Sequence, residues 1–223
     1  MDASSGKRVY RDLQQHIEEL KARDLLYVVD EPVNKDTEMS ALVRWQFRGG
    51  LREDQRKAFL FTNPTDSKGR QYDIPVVIGA LAANQDIYAT GMDTTVDGIA
   101  AKWSHAIANP VPPRVVEDAP CHDVVIDGED LLAEDGGLVR LPVPLSTPGF
   151  DSTPTLAATN VITKNPDTGT QNMGTYRAGL KSSDRLVVRM ATRVGGAEGY
   201  MHWKTHKARG EKLPCAIVVG CPP

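Results

Sequence analysis

The sequence predicts a protein of two parts, an open α/β domain followed by a mainly β domain. Helical and strand-like patterns alternate through roughly the first 110 residues, which is typical of an open α/β domain. A proline-rich segment without hydrophobic periodicity follows. Beyond it the sequence divides into short β-prone runs joined by turns, a pattern that indicates an antiparallel barrel or sandwich.

The first predicted element is an amphipathic helix. Leu13, Ile17 and Leu20 recur at i, i+4 and i+7, so their side chains share one helix face. The apolar run Leu25–Val29 then predicts a buried strand, which Pro32 ends. The remaining elements of this part are a helix over residues 37–47, strand-like runs at Ala58–Thr62 and Ile74–Leu81, and a helix around Trp103 that ends before Pro110.

The second part begins after a connector. Four prolines lie within residues 109–120, which predicts an irregular link between domains. We therefore place the domains at residues 1–110 and 126–223, with the connector at 111–125. The β-prone runs of the second domain are VVID, LVRLPVPL, LAATNVITK, LVVRMAT and CAIVVG, and a single helical stretch is predicted near residues 199–209.

The overall composition is that of an ordinary soluble protein. The 223-residue chain is 40% hydrophobic and 25% charged, with a formal net charge of −3. This balance argues against a nucleic-acid-binding protein, which usually has a basic surface. No run approaches the roughly 20 apolar residues that span a bilayer, and the first residues lack the apolar core of a secretory signal. We therefore expect a cytoplasmic protein that binds neither nucleic acid nor membrane.

The three cysteines, Cys121, Cys215 and Cys221, form no CxxC pair. In a reducing cytosol we expect them to be free and buried, and we assign them no function. Their spacing also disfavours a zinc site.

The first candidate site lies in a predicted β-hairpin. Two β-prone runs flank the turn Asn165–Gly169, which predicts a hairpin. The second run contains Asn172, Gly174, Tyr176 and Arg177. Because side chains alternate along a strand, Asn172, Gly174 and Tyr176 should share one face. Arg177 should lie on the other face, unless a bulge at Gly174 changes the register. An amide oxygen suits a divalent cation beside a phosphate, and a guanidinium can bind a carboxylate through two hydrogen bonds. On this pattern alone, a solvated hairpin with one surface arginine is the favoured alternative.

The second candidate site is the histidine pair His202 and His206. The two residues are four apart and would lie on one face of a helix, where such a pair can bind a transition metal. The HExxH zinc signature is absent, so the favoured alternative is that one histidine packs and the other caps the helix or faces water. Nearby, Gly195-Gly196 would allow a sharp turn or the close approach of a ligand.

Together these segments resemble the UbiD family of decarboxylases, which use prenylated flavin. The resemblance rests on the heptad QNMGTYR at Gln171–Arg177, on MHW at Met201–Trp203 with His206-Lys207, and on the strand that ends in VGCPP at Val219–Pro223. The opening RDLQQHIEELKARDLLYVVDEPV and the LPVP run at Leu141–Pro144 are also similar to the family. The resemblance implies an amino-terminal α/β domain followed by an incomplete split β-barrel related to the flavin reductases.

For the site, the resemblance implies a prenylated FMN whose phosphate is held by manganese or a similar divalent ion, with potassium as a further cation. Asn172 matches the family asparagine that ligates the metal, and His202 is the candidate for the histidine ligand. Arg177 matches the catalytic arginine that pairs with the substrate carboxylate and with a catalytic acid. The cofactor-contacting residues implied are Asn172, Thr175, Tyr176, Arg177, Arg189, Gly195 and His202.

Members of the family are much longer than this chain. The resemblance places the glutamate metal ligand, the catalytic acidic cluster, a third domain and part of the barrel beyond Pro223. We therefore expect a truncated or proteolysed form, or one of two polypeptides, and we expect the chain alone to be inactive. For the complete enzyme the resemblance implies a homo-oligomer, and a flavin prenyltransferase that supplies the cofactor.

The implied reaction is reversible, non-oxidative decarboxylation of an aromatic, heteroaromatic or α,β-unsaturated carboxylic acid, with the cofactor as electron sink. Two alternatives stay open. One is a split-barrel flavoprotein oxidoreductase that uses ordinary flavin. The heptad argues against it, because a flavin reductase needs no metal-binding asparagine beside a catalytic arginine. The other is a non-catalytic fragment or subunit that binds a partner chain through exposed barrel edges.

Overall fold

Helices and strands alternate through the first half of the chain in the computed structural model, which describes residues 12–192 and 195–223. Arg11, the first residue of the opening segment that resembles the family, lies outside the described residues. In chain order the elements of this half are α1 (Leu13–Ala22), β1 (Leu26–Val29), β2 (Val33–Asn34), α2 (Met39–Arg48), β3 (Ala58–Phe61), β4 (Pro64–Thr65), β5 (Val76–Ile78), α3 (Gln85–Gly91) and α4 (Ile99–Ala108).

Two compact units are formed. The first contains the described part of Met1–Asn34 together with Ala41–Asp127 and Pro222–Pro223, and the second contains Lys35–Ser40 and Gly128–Cys221. The predicted mixed α/β class is confirmed. None of the helices within residues 12–192 and 195–223 has the length and apolar character needed to cross a bilayer.

A three-stranded mixed sheet organises the first unit. Strand β3 lies in the middle, parallel to β1 and antiparallel to β5, with Leu26 opposite Ala58 and Phe59 opposite Ile78. A second, two-stranded parallel sheet joins β2 to β4. Strand β5 is shorter than the predicted run Ile74–Leu81, because Gly79 follows it with a positive φ of 82° that ends the extended backbone.

The core of the first unit lies where α1 packs on the sheet. Asp12 caps this helix by accepting a hydrogen bond from the backbone N–H of Gln15 at 2.9 Å. The predicted apolar face is confirmed, since Ile17 and Leu20 are buried. The buried cluster around them consists of Leu26, Ala58, Ala80, Ala83 and Ile87.

His16 is the polar member of this buried helix face. Its side chain is fully buried, and its Nε2–H donates to the backbone carbonyl of Ala80 at 2.7 Å. Burial lowers the pKa of His16 below the ordinary value of 6.5, an effect that the hydrogen bond to Ala80 and the nearby Glu19 partly oppose. The neutral imidazole is therefore the form that the fold favours.

This burial makes acid destabilisation of the first unit an expected result. Below pH 6.5 the unfolded chain binds a proton at His16 that the folded chain resists, so the free energy of unfolding should fall as the pH falls through and below that value. His16→Gln should flatten this dependence in denaturant unfolding measured between pH 5 and pH 8. The matched control is His122→Gln, because His122 is exposed. Equal pH slopes for the His16 variant and the wild type would contradict the assignment.

The second unit is built on a four-stranded antiparallel sheet. Its elements are α5 (Gly128–Leu132), β6 (Thr155–Lys164), β7 (Gln171–Ser182), β8 (Arg185–Arg189), α6 (Glu198–Ala208) and β9 (Cys215–Val218). The strand order is β8-β7-β6-β9, and every neighbouring pair is antiparallel. In the part of the chain that the structure describes this sheet is open, so the split barrel stays a prediction.

Several sequence predictions for the second part are wrong. VVID and LVRLPVPL form no strand. Val124 and Val125 are exposed and pair with no strand, while Gly137–Arg140 form a 3₁₀ turn. The second run contains Pro142 and Pro144, which have no backbone N–H for a ladder. The helix α5 was not predicted, nor was α3, although Asn84 is a typical N-cap that accepts from the Ile87 N–H at 2.7 Å. The cysteines are free as predicted, but Cys121 and Cys215 are exposed.

Candidate functional site

The predicted hairpin is formed by β6 and β7, and its turn fixes their register. The Asn165 side chain accepts hydrogen bonds from the backbone N–H groups of Asp167 at 2.8 Å and Thr168 at 3.2 Å. Gly169 adopts a positive φ of 71°, which closes the turn at low cost. As a result Asn172 lies directly opposite Thr163.

The register divides the side chains of β7 between two faces. Asn172, Gly174 and Tyr176 are partly buried, and they lie opposite Thr163, Val161 and Thr159 of β6. We call this side the helix face, because α6 packs against β6 and β7. Met173, Thr175 and Arg177 are exposed on the other side, which we call the open face. The predicted alternation is confirmed. The irregularity in the ladder lies between Leu156 and Thr159 of β6, opposite Arg177 and not at Gly174.

The two residues that were expected to ligate a metal both lie on the helix face, and each neighbours Thr163. His202 of α6 is 1% exposed, and its Nδ1 lies 2.9 Å from the Thr163 hydroxyl. Thr163 is also the cross-strand neighbour of Asn172. The amide Nδ2 of Asn172 and the Nε2 of His202 are both buried without a hydrogen bond in the described residues. The His202 Nε2 lies 3.2 Å from Glu198 Oε1 but is not aligned for a hydrogen bond.

These two buried atoms fit a cation site. Leaving a buried polar atom without a partner costs about 1–3 kcal/mol, so such atoms usually indicate a missing ligand or water. Rotating the Asn172 amide by half a turn would present its oxygen in place of its nitrogen, and oxygen is the donor that a divalent cation needs. If His202 Nδ1–H donates to Thr163, Nε2 has a free lone pair for a metal. The residues described here contain no cluster of three His, Cys, Asp or Glu side chains that could hold a metal.

Tyr176 attaches α6 to the sheet on the same face. Its hydroxyl accepts a hydrogen bond from the backbone N–H of Gly199 at 3.3 Å, in the first turn of α6. The ring lies over Gly174, where an added Cβ would be 2.7 Å from Tyr176 Cε2. At Gly199 an added Cβ would lie 3.2 Å from the same carbon. The glycine of the heptad therefore makes room for the tyrosine ring.

Gly174→Ala is expected to destabilise the second unit. A Cβ at this position cannot fit beside the Tyr176 ring, so the ring must shift away from α6, and overpacking of this kind costs about 1–3 kcal/mol. The free energy of unfolding measured in urea checks the result. Met173→Ala, at a neighbouring position that is 66% exposed, should change stability by less than about 0.5 kcal/mol. A Gly174 variant as stable as the Met173 variant would contradict this packing.

Arg177 lies on the open face and forms an ion pair that the sequence analysis missed. Its Nη2 donates to both carboxylate oxygens of Asp151, at 2.9 and 2.8 Å. Directly across the β7–β8 pair lies Arg189, so two arginine side chains are cross-strand neighbours on the same face. Thr175 shares this face and donates to the side-chain oxygen of Asn160 at 3.0 Å. No local spacing connects Asp151 to Arg177, so no pattern in the sequence pointed to this pair.

The structure separates the predicted site residues into three groups. Asn172, Tyr176 and His202 lie on the helix face, whereas Thr175, Arg177 and Arg189 lie on the open face. Gly195 precedes α6 with a positive φ of 85°, a backbone conformation that favours glycine, and among the described residues no atom lies within 4 Å of an added Cβ there. His206, the second histidine of the pair, lies 3.2 Å from Glu211 through its Nδ1.

A cleft of about 480 Å³ lies under α6. None of the seven predicted site residues lines it. Its walls are mostly apolar, and Lys207 lies over the Trp203 ring with its Nζ 4.7 Å from the ring centroid. The lining residues are Val161, Thr163, Val188, Met190, Trp203, Lys207, Glu211, Lys212, Leu213 and Cys215.

Comparison with known families matches nearly all of this chain. Residues 17–107 match the UbiD N-terminal domain, described as the 3-octaprenyl-4-hydroxybenzoate carboxy-lyase N-terminal domain. Residues 114–223 match the UbiD domain, described as the 3-octaprenyl-4-hydroxybenzoate carboxy-lyase Rift-related domain.

Solved structures of three enzymes are similar to the chain. An evolved dimeric form of the UbiD-class enzyme HmfF from Pelotomaculum thermopropionicum, in complex with prFMN, is 25% identical with a TM-score of 0.73, over 96% of this chain and 45% of that one. Vanillic acid decarboxylase from Sedimentibacter hydroxybenzoicus is 25% identical with a TM-score of 0.78. The match covers 97% of this chain and 44% of that enzyme. Apo 3,4-dihydroxybenzoic acid decarboxylase from Enterobacter cloacae is 25% identical with a TM-score of 0.79. The match covers 96% of this chain and 43% of that enzyme.

The fold and the two family matches therefore define a UbiD-class arrangement, an α/β domain followed by a Rift-related domain. The chain spans less than half the length of each of these three enzymes. The chain belongs to the UbiD family.

Proposed function

We propose that this chain is the amino-terminal part of a UbiD-type carboxy-lyase that uses prenylated FMN. The proposed reaction is reversible, non-oxidative decarboxylation of an aromatic, heteroaromatic or α,β-unsaturated carboxylic acid. The observation that supports it best is strand β7 itself, with the buried Asn172 amide on one face and the Arg177 guanidinium on the other. Two of the similar enzymes decarboxylate aromatic acids and one was solved with prFMN, which supports the same substrate class and cofactor here.

In this proposal the helix face holds the cation. Asn172 would contribute an amide oxygen and His202 an imidazole nitrogen to a manganese or similar ion, with the Thr163 hydroxyl fixing the imidazole orientation. The ion would orient the cofactor phosphate, a template role in which it activates no water. Potassium is proposed as a further cation. Thr175, Tyr176, Arg189 and Gly195 are the remaining proposed cofactor contacts.

The open face would bind the substrate. Asp151 contacts only Nη2 of Arg177, which leaves the N–H groups of Nε and Nη1 for a second acceptor. A guanidinium presents these groups in a plane that matches a carboxylate, so Arg177 would bind and orient the group to be lost. When bound, prenylated FMN supplies an electron sink for the bond that breaks. The acid that protonates the product is not assigned to this chain.

Several wider features belong to the same proposal. The family resemblance favours a cytoplasmic, homo-oligomeric enzyme that acts on a small carboxylic acid, with its cofactor supplied by a flavin prenyltransferase. The domain limits at residues 110 and 126 and the completion of a split barrel also stay predictions.

The test is a decarboxylation assay on the natural full-length polypeptide that contains this chain. The protein, loaded with prenylated FMN and Mn²⁺, should release CO₂ from at least one aromatic acid in a panel that includes vanillate and 3,4-dihydroxybenzoate. Product analysis by liquid chromatography identifies the acid. A protein whose absorbance shows loaded cofactor but which releases no CO₂ from the panel would refute the proposal. Oxidation of NADH with added FMN would instead support the flavoprotein oxidoreductase.

A further inference from the structure

The contact between Arg177 and Asp151 is asymmetric in a way that bears on how the arginine works. Both oxygens of Asp151 lie within hydrogen-bond distance of one nitrogen, Nη2, at 2.9 and 2.8 Å. A purely structural pair would gain more from the parallel two-nitrogen arrangement that arginine and carboxylates commonly form. Here one nitrogen is used, and the Arg177 side chain is still 43% exposed.

Asp151 is the better-fixed partner of the pair. Its side chain is only 11% exposed, and its backbone N–H donates to the Thr147 carbonyl at 2.9 Å. The segment that follows is tied to strand β7 at Leu180. The Thr153 hydroxyl donates to the Leu180 carbonyl, and the Leu180 N–H donates to the Pro154 carbonyl at 2.9 Å. A largely buried carboxylate on an anchored loop can therefore set the position of a longer and more exposed side chain.

Two further features explain why the arginine needs such a partner. Arg189 lies directly opposite Arg177 on the neighbouring strand, and like charges at such positions repel. On the other side, the β6 ladder is irregular between Leu156 and Thr159, opposite Arg177, so the sheet itself constrains this position less. Without Asp151 the guanidinium would be free to turn away from Arg189.

We infer that Asp151 is a positioning residue that aims the Arg177 guanidinium so that its Nε and Nη1 groups bind the substrate carboxylate. The inference rests on the proposed function, because it assigns the role of Asp151 through Arg177. Asp151 touches neither substrate nor cofactor in this assignment. It acts by holding the guanidinium against the repulsion from Arg189 while occupying only one of its nitrogens.

The test compares Asp151→Asn, Asp151→Glu and Asp184→Asn in the natural full-length enzyme loaded with prenylated FMN and Mn²⁺. Asp151→Asn keeps the shape and removes the charge, so turnover should fall about fivefold through loss of orientation. KM for the aromatic acid should change less than about twofold. The less well oriented Arg177 guanidinium weakens binding, whereas removing the Asp151 negative charge strengthens the attraction for the carboxylate. Asp151→Glu restores the charge and should recover part of the lost turnover. Asp184 lies in the turn between β7 and β8, with its carboxylate 3.6 Å from Arg185, and Asp184→Asn should leave turnover unchanged.

A double variant separates positioning from general stabilisation. Adding Asp151→Asn to the Arg177→Lys variant should lower turnover by less than about a further twofold. The guanidinium that Asp151 positions is already absent from that variant. Turnover of Asp151→Asn within twofold of wild type, or an equal loss in Asp184→Asn, would overturn the inference. If the wild-type enzyme binds no benzoate in calorimetry and releases no CO₂, the proposed function fails instead. A wild-type enzyme that does both, with an unaffected Asp151→Asn variant, refutes the positioning role alone.

Discussion

Replacing Asn172 with alanine is expected to remove the divalent cation and the cofactor from the full-length enzyme together. The amide nitrogen of Asn172 is buried on the helix face without a hydrogen bond in the described residues, and so is the Nε2 of His202 on the same face. If both bind one cation, loss of the amide oxygen should lower metal affinity at least about 10- to 100-fold, the range seen for residues that only support metal ligands. Cofactor retention should fall with it, because the ion would hold the cofactor phosphate.

Metal content measured by mass spectrometry and the absorbance of bound flavin check this prediction. Gln171→Ala is the matched control, since Gln171 is the neighbouring amide, exposed at the start of β7. Its metal and cofactor contents should equal those of the wild type. Unchanged metal content in Asn172→Ala would exclude Asn172 from the site. In that event a water molecule would be the simplest partner for the buried amide.

Arg177→Lys is expected to lower turnover at least about tenfold, or roughly 1.4 kcal/mol of transition-state stabilisation, while the cofactor stays bound. Lysine keeps the positive charge but loses the planar fork, so it cannot hold Asp151 with one nitrogen and a carboxylate with the others. The opposite placement of Arg177 and Asn172 on β7 makes the two effects separable. Arg177→Lys should lose turnover with the cofactor retained, whereas Asn172→Ala should lose the cofactor itself.

Steady-state kinetics with flavin absorbance recorded on the same samples checks the second prediction. Arg185→Lys serves as the control, because Arg185 is an exposed arginine on the adjacent strand. Its turnover should match the wild type. If Arg177→Lys turns over within twofold of the wild type, Arg177 is a surface residue and does not bind the carboxylate.

Much of the hairpin was predictable because local rules fix it. The Asn165–Gly169 turn sets the register, and strand alternation then places Asn172 and Arg177 on opposite faces. The pair Arg177–Asp151 was not predictable, because 26 positions separate the two residues and no periodicity connects them. The ladder irregularity opposite Arg177 was unpredictable for a similar reason, since it depends on how β6 pairs with β7 and not on a local sequence pattern.

The failures in the connector region have a different origin. VVID and LVRLPVPL have the composition of strands, but a strand also needs a neighbour that supplies hydrogen bonds. Leu145 shows what happens instead, because its N–H donates to the carbonyl of Lys35 at 3.2 Å outside any strand. Likewise the two-residue strands β2 and β4 are too short for an alternation pattern to exist. Composition therefore predicted the β-propensity of these segments but not whether a partner strand was present.

The tyrosine ring held between two glycines has a consequence for how this family can diverge. Gly174 and Gly199 are 25 positions apart, yet an added Cβ at either would meet the ring of Tyr176, and at Gly199 it would also lie 3.1 Å from the Met190 sulfur. A larger residue at Gly174 becomes acceptable only if the residue at position 176 shrinks or turns, and one at Gly199 needs both the Tyr176 ring and the Met190 sulfur to move by a few tenths of an ångström. The three positions should therefore vary as a correlated set among related sequences, with small residues at 174 and 199 wherever 176 is aromatic.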